Sequence, residues 1–202
     1  GLQGYDTGNY NFNGSYKSVK EIIEDADLAM GNLETVLSST WPYMHEEAYI
    51  NNKANCNAPA RYLDALKYAG FDAVVMSNNH NCDAGVQGLV ETIAQVERYD
   101  LARTGVFKSE YEQRGMLLDV KGIKIGILSY TTKETGFNKK DLLWSENDVN
   151  VKLNYYEKEK AAKDIEALKQ FFKKAKGLFM KKTKKIQKII PQEEDIISKR
   201  RL

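Results

Sequence analysis

The sequence predicts an α/β fold built around a mixed sheet, and three observations carry that expectation. Short apolar runs fit for strands, "DLAM" at 27–30 and "FDAVVMS" at 71–77, alternate with segments whose apolar residues recur at helical spacing, as in crossover units of a parallel sheet. The stretch "MLLDVKGIKIGILSYT" holds two β-rich runs separated by Lys121 and Gly122, a two-residue hairpin loop with glycine where a positive φ is tolerated. This antiparallel pair makes the sheet mixed. At 202 residues, 42% hydrophobic and 29% charged, the chain has globular composition and length enough for one sizeable core.

Taken in order, "SYKSVKEIIEDA" places Val19, Ile22, Ile23 and Ala26 on one face of a helix over about 15–25, with Ser15 as N-cap. "DLAM" is a short strand that stops at "GNLET", and Ser38 to Asn57 reads as a long polar loop of the kind that is usually functional or mobile. "APARYLDALKYAG" is the clearest helix: Pro59 lies early, Tyr62, Leu63, Leu66 and Ala69 share a face, and Gly70 sits where a terminating glycine belongs. A strand over 71–76 follows, then an amphipathic helix through Leu89, Val90, Ile93 and Val96. Beyond the hairpin, 141–154 reads as loop, and "YEKEKAAKDIEALKQFFKKA" is a helix with Ala161, Ile165, Leu168 and Phe172 on one face. There are no internal repeats.

Composition excludes several function classes. No run approaches the roughly 18 apolar residues of a membrane span, and "GLQGYDTGNY" lacks the basic, apolar, small-residue order of an export signal. Neither Cys56 nor Cys82 belongs to a C-x-x-C pair, so zinc fingers and thioredoxin-like centres are not supported. A disulfide between them and two small buried thiols are both open. The formal charge of +2 hides two unlike parts: residues 1–172 hold 19 Lys/Arg and 25 Asp/Glu, net −6, and residues 173–202 hold 11 and 3, net +8. That basic tail lacks interleaved aromatics apart from Phe179 and follows no nucleic-acid module, so nucleic acid is not the expected partner. It reads either as a polybasic segment for an anionic surface or as a solvated, partly helical end.

Two segments carry chemistry. In an open α/β sheet, ligands bind at strand ends, where loops sit in a crevice held by rigid elements. "GNLE", Gly31 to Glu34, follows the first strand, and "NNHNCDAG", Asn78 to Gly85, follows the second. Asn79 offers a neutral carbonyl oxygen, Glu34 a charged one, and His80 the side chain that titrates nearest neutral pH. A metal ligand beside a proton donor is a hydrolase arrangement. The same residues also suit a turn, an N-cap at Asp83 with Gly85 opening the next helix, and a structural histidine.

The order "ADLAMGNLETVLS", then "NAPARYLDALKYAGFDAVVMSNNHNCDAGVQGLVETI", then "TGVFKSEYEQRGMLLDVKGIKIGILSYT" closely resembles the CapA family of capsule and poly-γ-glutamate biosynthesis proteins, over most of positions 5–172. The resemblance implies a fold like that of calcineurin-like metallophosphatases, a β-sandwich flanked by helices with metal ligands on strand-end loops. Under it, Asn32, Glu34 and Asn79 are metal ligands, with Asn32 where a phosphatase places its bridging Asp. His80 is the catalytic acid or transition-state stabiliser, and Gly31, Asp83 and Gly85 support the site. It implies divalent metal in an intact parent, an anionic polymer or capsule-synthesis membrane complex as partner, and an outward-facing, membrane-associated place in the envelope.

The departures shape the expected function. The family's opening strand with a G-D motif, and its later H-W-G and G-H-x-x-H-like blocks, do not occur, and the histidines are His45, in the variable loop, and His80. The chain therefore reads as an incomplete copy: a partial CapA-like domain over 1–172 and a weakly packed Lys/Ile-rich tail over 173–202, arising by frame change or truncation. As it stands it is expected not to form a competent two-metal centre. Two functions follow: a metal-dependent hydrolase of a phosphoester or related bond in the intact parent, or a non-catalytic scaffold or polymer-binding subunit. An amide oxygen at Asn32 bridges two cations less well than a carboxylate, which favours the second.

Overall fold

The computed structural model describes residues 10–40, 56–109, 111–132, 152–175 and 186–188. Its strands are short, so their positions are fixed by partners more than by their own composition. β1 (Met30–Asn32), β2 (Ala73–Val75) and β3 (Ala102–Thr104) form a parallel sheet in that order, with Asn32 opposite Val75 and Val75 opposite Thr104. Parallel neighbours need crossovers. These are supplied by α2 (Tyr62–Ala69) between β1 and β2, and by α3 (Gly85–Arg98) between β2 and β3.

Alternation along β2 sorts its side chains between two cores. Val74 faces a cluster with Leu63 and Leu66 of α2 and Leu89, Ile93 and Val96 of α3. Ala73 faces the other way and packs with Ala102, Met116, Leu118 and Val120. The last three belong to β5 (Met116–Val120), which pairs antiparallel with β6 (Ile123–Ile127) through Lys121 and Gly122 at φ 51° and 86°. Two positive φ values are what the expected hairpin loop demands. On the outer face of this second sheet lies α4 (Lys158–Ala175), whose Leu168 and Phe172 approach Gly126 so closely that a Cβ there would meet them at 3.2–3.3 Å. The layers thus run helices, parallel sheet, antiparallel sheet, helix. The α/β class with a mixed set of strands is what the sequence indicated.

Several boundaries differ from the sequence reading. The first helix shrinks to a 3-10 turn at Asn13–Ser15 and α1 (Lys20–Asp25), with Val19 rather than Ser15 at the cap and no capping side chain. Its supposed apolar face is largely open, Ile22 being 75% exposed. The first strand starts three residues later and ends two residues later than "DLAM" suggests, because β1 takes its register from Ala73–Val75. α2 starts after Pro59 rather than on it, and ends as expected at Gly70, φ 92°. Val90 and Ile165 are exposed rather than core-facing.

β3 and β4 (Val106–Phe107) had no reading as strands; β4 pairs antiparallel with β7 (Lys152–Leu153), inside a stretch read as loop. In the basic tail, β8 (Ile186–Lys188) adds antiparallel to β5, so part of that segment joins the sheet rather than forming a solvated helical end. His45, most of the long loop after Ser38, and most of 141–154 lie outside the described residues. None of the helices among the described residues is long and apolar enough to cross a membrane.

Candidate functional site at the edge of the parallel sheet

Because β1 and β2 are parallel neighbours, the loops following them leave from the same edge of the sheet. Asn78 ties the two together. Its Nδ2 donates to Leu33 O at 2.9 Å and to Asn32 Oδ1 at 3.2 Å, while its Oδ1 accepts the His80 N–H at 3.0 Å. Which end of the carboxamide is nitrogen is forced, since a carbonyl must face a donor and an N–H an acceptor. Asn32 completes the link by donating to Glu34 Oε2 at 2.9 Å.

The rest of the second loop is held by its own polar groups. Asn81 Oδ1 accepts the Asn78 N–H at 2.7 Å and its Nδ2 donates to Met76 O. Ser77 Oγ donates to Gly105 O at 2.5 Å, fastening the loop to the end of β3. Gly105 is required here: its φ is 101°, and a Cβ would stand 2.5 Å from Ser77 N. Buried polar groups cost stability unless bonded, and these three residues are buried and bonded.

Asp83 does not cap α3, whose cap position is Ala84 with no side-chain bond. Its fully buried carboxylate instead accepts from the Cys56 N–H at 2.8 Å and lies 2.7 Å from His80 Nδ1. A carboxylate has only acceptors, so Nδ1 carries the proton, which fixes the tautomer and the ring plane. The His80 side chain keeps 14% of its surface accessible. Asn79 lies half-buried between Asn78 and His80, and Asn32 and Glu34 are exposed.

Cys56 arrives from the long loop. Val36 pairs with Asn57 in an isolated parallel bridge, with Val36 N–H donating to Cys56 O at 2.8 Å and Ala58 N–H to Val36 O at 2.9 Å. This sets the thiol beside Asp83 and His80: one donor atom from each of Cys56, His80 and Asp83 lies within 4.8 Å of the others. Both cysteines are free thiols. Burial pushes the Cys56 thiol up from its ordinary value, and the charges of Asp83 and Glu34 add to the effect. A thiol held protonated in this way is a poor nucleophile.

The sequence reading thus missed Cys56, whose role is visible only once the bridge at Asn57 is in place, and Asn78, which binds the two loops. The family-type ligand set fares differently. Asn32 Oδ1 and Nδ2 are engaged with Asn78 and Glu34, and Glu34 is outside the one convergent group of His, Cys, Asp and Glu donors among the described residues. Asn32 and Glu34 are bonded to each other, and a set of Asn32, Glu34 and Asn79 holds one carboxylate, too little charge by itself for a two-metal clamp.

The comparisons bear on this geometry. The family model described as bacterial capsule synthesis protein PGA_cap matches residues 2–186. The chain belongs to that family. The match runs past residue 172 to the β8 strand, so the family pattern continues into the segment that the sequence reading set apart. Among curated relatives of this PGA_cap chain, "Capsule biosynthesis protein CapA" of Bacillus anthracis is 26% identical over 121 residues, 57% of this chain and 28% of that protein. "PGA biosynthesis protein CapA" of Bacillus subtilis (strain 168) is 25% identical over 118 residues, 57% of this chain and 30% of that protein. "Uncharacterized protein y4sH" of Sinorhizobium fredii is 27% identical over 126 residues, 61% and 27% of the two chains. The chain spans less than a third of the length of these relatives.

Proposed function

We infer that this PGA_cap chain serves in production of an envelope polymer of the capsule or poly-γ-glutamate kind, and that the edge of its parallel sheet is a hydrolytic centre in the intact protein. The observation that carries the reading is the His80–Asp83 pair. An imidazole whose Nδ1 is held 2.7 Å from a fully buried carboxylate, in a side chain that stays partly accessible, has its ring fixed and Nε2 left for proton transfer. A purely structural histidine does not need an accessible ring. The names of the Bacillus relatives supply the polymer context. The substrate is then an anionic polymer or its precursor, on the outer side of the envelope, and the bond a phosphoester or, in poly-γ-glutamate itself, the γ-amide.

A second reading, a polymer-binding subunit without turnover, is favoured by Asn32, an amide locked to Glu34 and Asn78 where metal-pair chemistry wants a free carboxylate. One experiment separates the two. The full-length protein is assayed for cleavage of poly-γ-glutamate and of a chromogenic phosphoester, with His80→Ala beside the parent. Proton transfer by His80 predicts a loss of about 10²–10⁴-fold in turnover, with a melting temperature within a few degrees. Unchanged turnover in the variant refutes the role, and polymer binding without cleavage by the parent establishes the scaffold.

A further inference from the structure

We propose that Cys56, His80 and Asp83 form a binding site for a single borderline transition-metal ion, of which zinc is the best match. The three groups come from two distant segments, yet one donor atom of each lies within 4.8 Å of the others. Thiolate, imidazole and carboxylate are together the donor set that zinc favours, whereas magnesium and calcium take oxygen alone. The set is also a different one from Asn32, Glu34 and Asn79.

The histidine–aspartate pair needs little change, and the thiol, within 4.8 Å of both, closes toward the roughly 3.5 Å that a tetrahedral zinc sets between sulfur and its other donors. Zinc bonds of about 2.0–2.1 Å at a tetrahedral angle set nitrogen and oxygen donors about 3.3 Å apart. His80 Nδ1 and Asp83 Oδ2 are 2.7 Å apart, so the ion replaces the shared proton and opens the pair by about half an ångström. A thiolate and a carboxylate around a dication leave the cluster neutral, which suits a fully buried Asp83. Three protein donors leave one position of a tetrahedron for water or substrate. The backbone already fixes two of the donors: the Cys56 N–H bonds to Asp83 at 2.8 Å, and the His80 N–H to Asn78 at 3.0 Å. Ion binding takes Nδ1 away from Asp83, so the metal-bound state and the proton-transfer state of His80 exclude each other.

The test is spectroscopic and independent of turnover. The chain is stripped with a chelator, dialysed, and titrated with Co²⁺ and then Zn²⁺. One equivalent of Co²⁺ is expected to give the intense visible absorption of a tetrahedral site and a near-ultraviolet thiolate-to-cobalt band, both bleached by one equivalent of Zn²⁺. Cys56→Ser removes the thiolate band, and Cys56→Ser and Asp83→Asn each weaken binding more than about tenfold. Cys82→Ser leaves the titration unchanged. Should Asp83→Asn fail to fold by circular dichroism, Cys56→Ser at its half-buried position carries the test. Cobalt binding without a thiolate band, a band that survives Cys56→Ser, or no binding at all overturns the site. None of these outcomes depends on whether His80→Ala affects hydrolysis.

Discussion

Replacing Asn78 tests whether the two site loops are held together by one buried carboxamide. Asn78→Ala strands the Leu33 carbonyl and the His80 N–H, whereas exposed Asn32 recovers its bond from water. A buried polar group left unpaired costs about 1–3 kcal/mol. His80 is only half-buried and its N–H regains part of that, so the total is about 2–4 kcal/mol. For a chain of this length about 2–4 °C of melting temperature accompanies each kcal/mol, giving a fall on the order of 5–15 °C. Asn78→Asp sharpens the test, because it keeps shape and the acceptor for His80 but sets a carboxylate oxygen 2.9 Å from Leu33 O. Two acceptors then face each other. Protonating the new carboxyl restores a donor, so the defect of Asn78→Asp relative to the parent shrinks as pH falls toward about 4. Thermal melts followed by circular dichroism at both pH values read this directly. Asn78→Ala melting within about 1 °C of the parent, or Asn78→Asp matching the parent at neutral pH, refutes the coupling.

Two further outcomes follow from neighbouring features. Gly105→Ala is expected to destabilise by about 2–3 kcal/mol, because φ is 101° and the new methyl would stand 2.5 Å from Ser77 N; urea unfolding measures it, and a change under about 0.5 kcal/mol contradicts the close approach. Burial pulls the Glu97 carboxyl up, but hydrogen bonds from Lys108 and Arg103 outweigh it and hold the group below its ordinary value. Its folded value being depressed, its contribution to stability is complete above about pH 4.3 and is lost as pH falls through the folded value. Glu97→Gln should therefore flatten the acid limb of a stability-against-pH curve, and an unchanged limb removes the network from the account.

Where the sequence was readable, local physics decided the outcome. Leu63, Leu66 and Ala69 at helical spacing before Gly70 need no partner to declare α2, and Lys121–Gly122 between two β-rich runs declares the hairpin. Polar residues directly after an apolar run marked the site loops, because a strand end is where such groups avoid burial in the core. Where the reading failed, the cause was non-local. β1 is three residues long and slides to meet β2, and β3 contains Arg103, which looks exposed until Glu97 and Glu112 are seen bonding it at 2.8 and 2.7 Å. Cys56 stands 27 residues before Asp83, and nothing near it in sequence announces the contact.

The loop after β2 shows how its polar residues divide their work. Ser77, Asn78 and Asn81 each use side-chain groups on backbone: Gly105 O from β3's end, Leu33 O from β1's end, and Met76 O from the loop's own strand. Asp83 takes a fourth backbone group, the Cys56 N–H, from the long loop. Four segments are thereby fixed around one ring, and the ring belongs to His80. If the cluster existed only to satisfy a turn, a serine or asparagine at position 80 would serve, and the Asp83 carboxylate, already bonded to the Cys56 N–H, would not need an imidazole as its second partner. A site meant for proton transfer or for a metal ion needs its reacting group held to within about half an ångström by neighbours that are themselves bonded. The asparagines around His80 meet that requirement, since Asn78 and Asn81 fix the backbone on both sides of the ring. The same requirement states what Asn78→Ala should do beyond lowering the melting temperature: a less fixed ring should lower turnover in the full-length protein, or weaken cobalt binding, even below the melting transition.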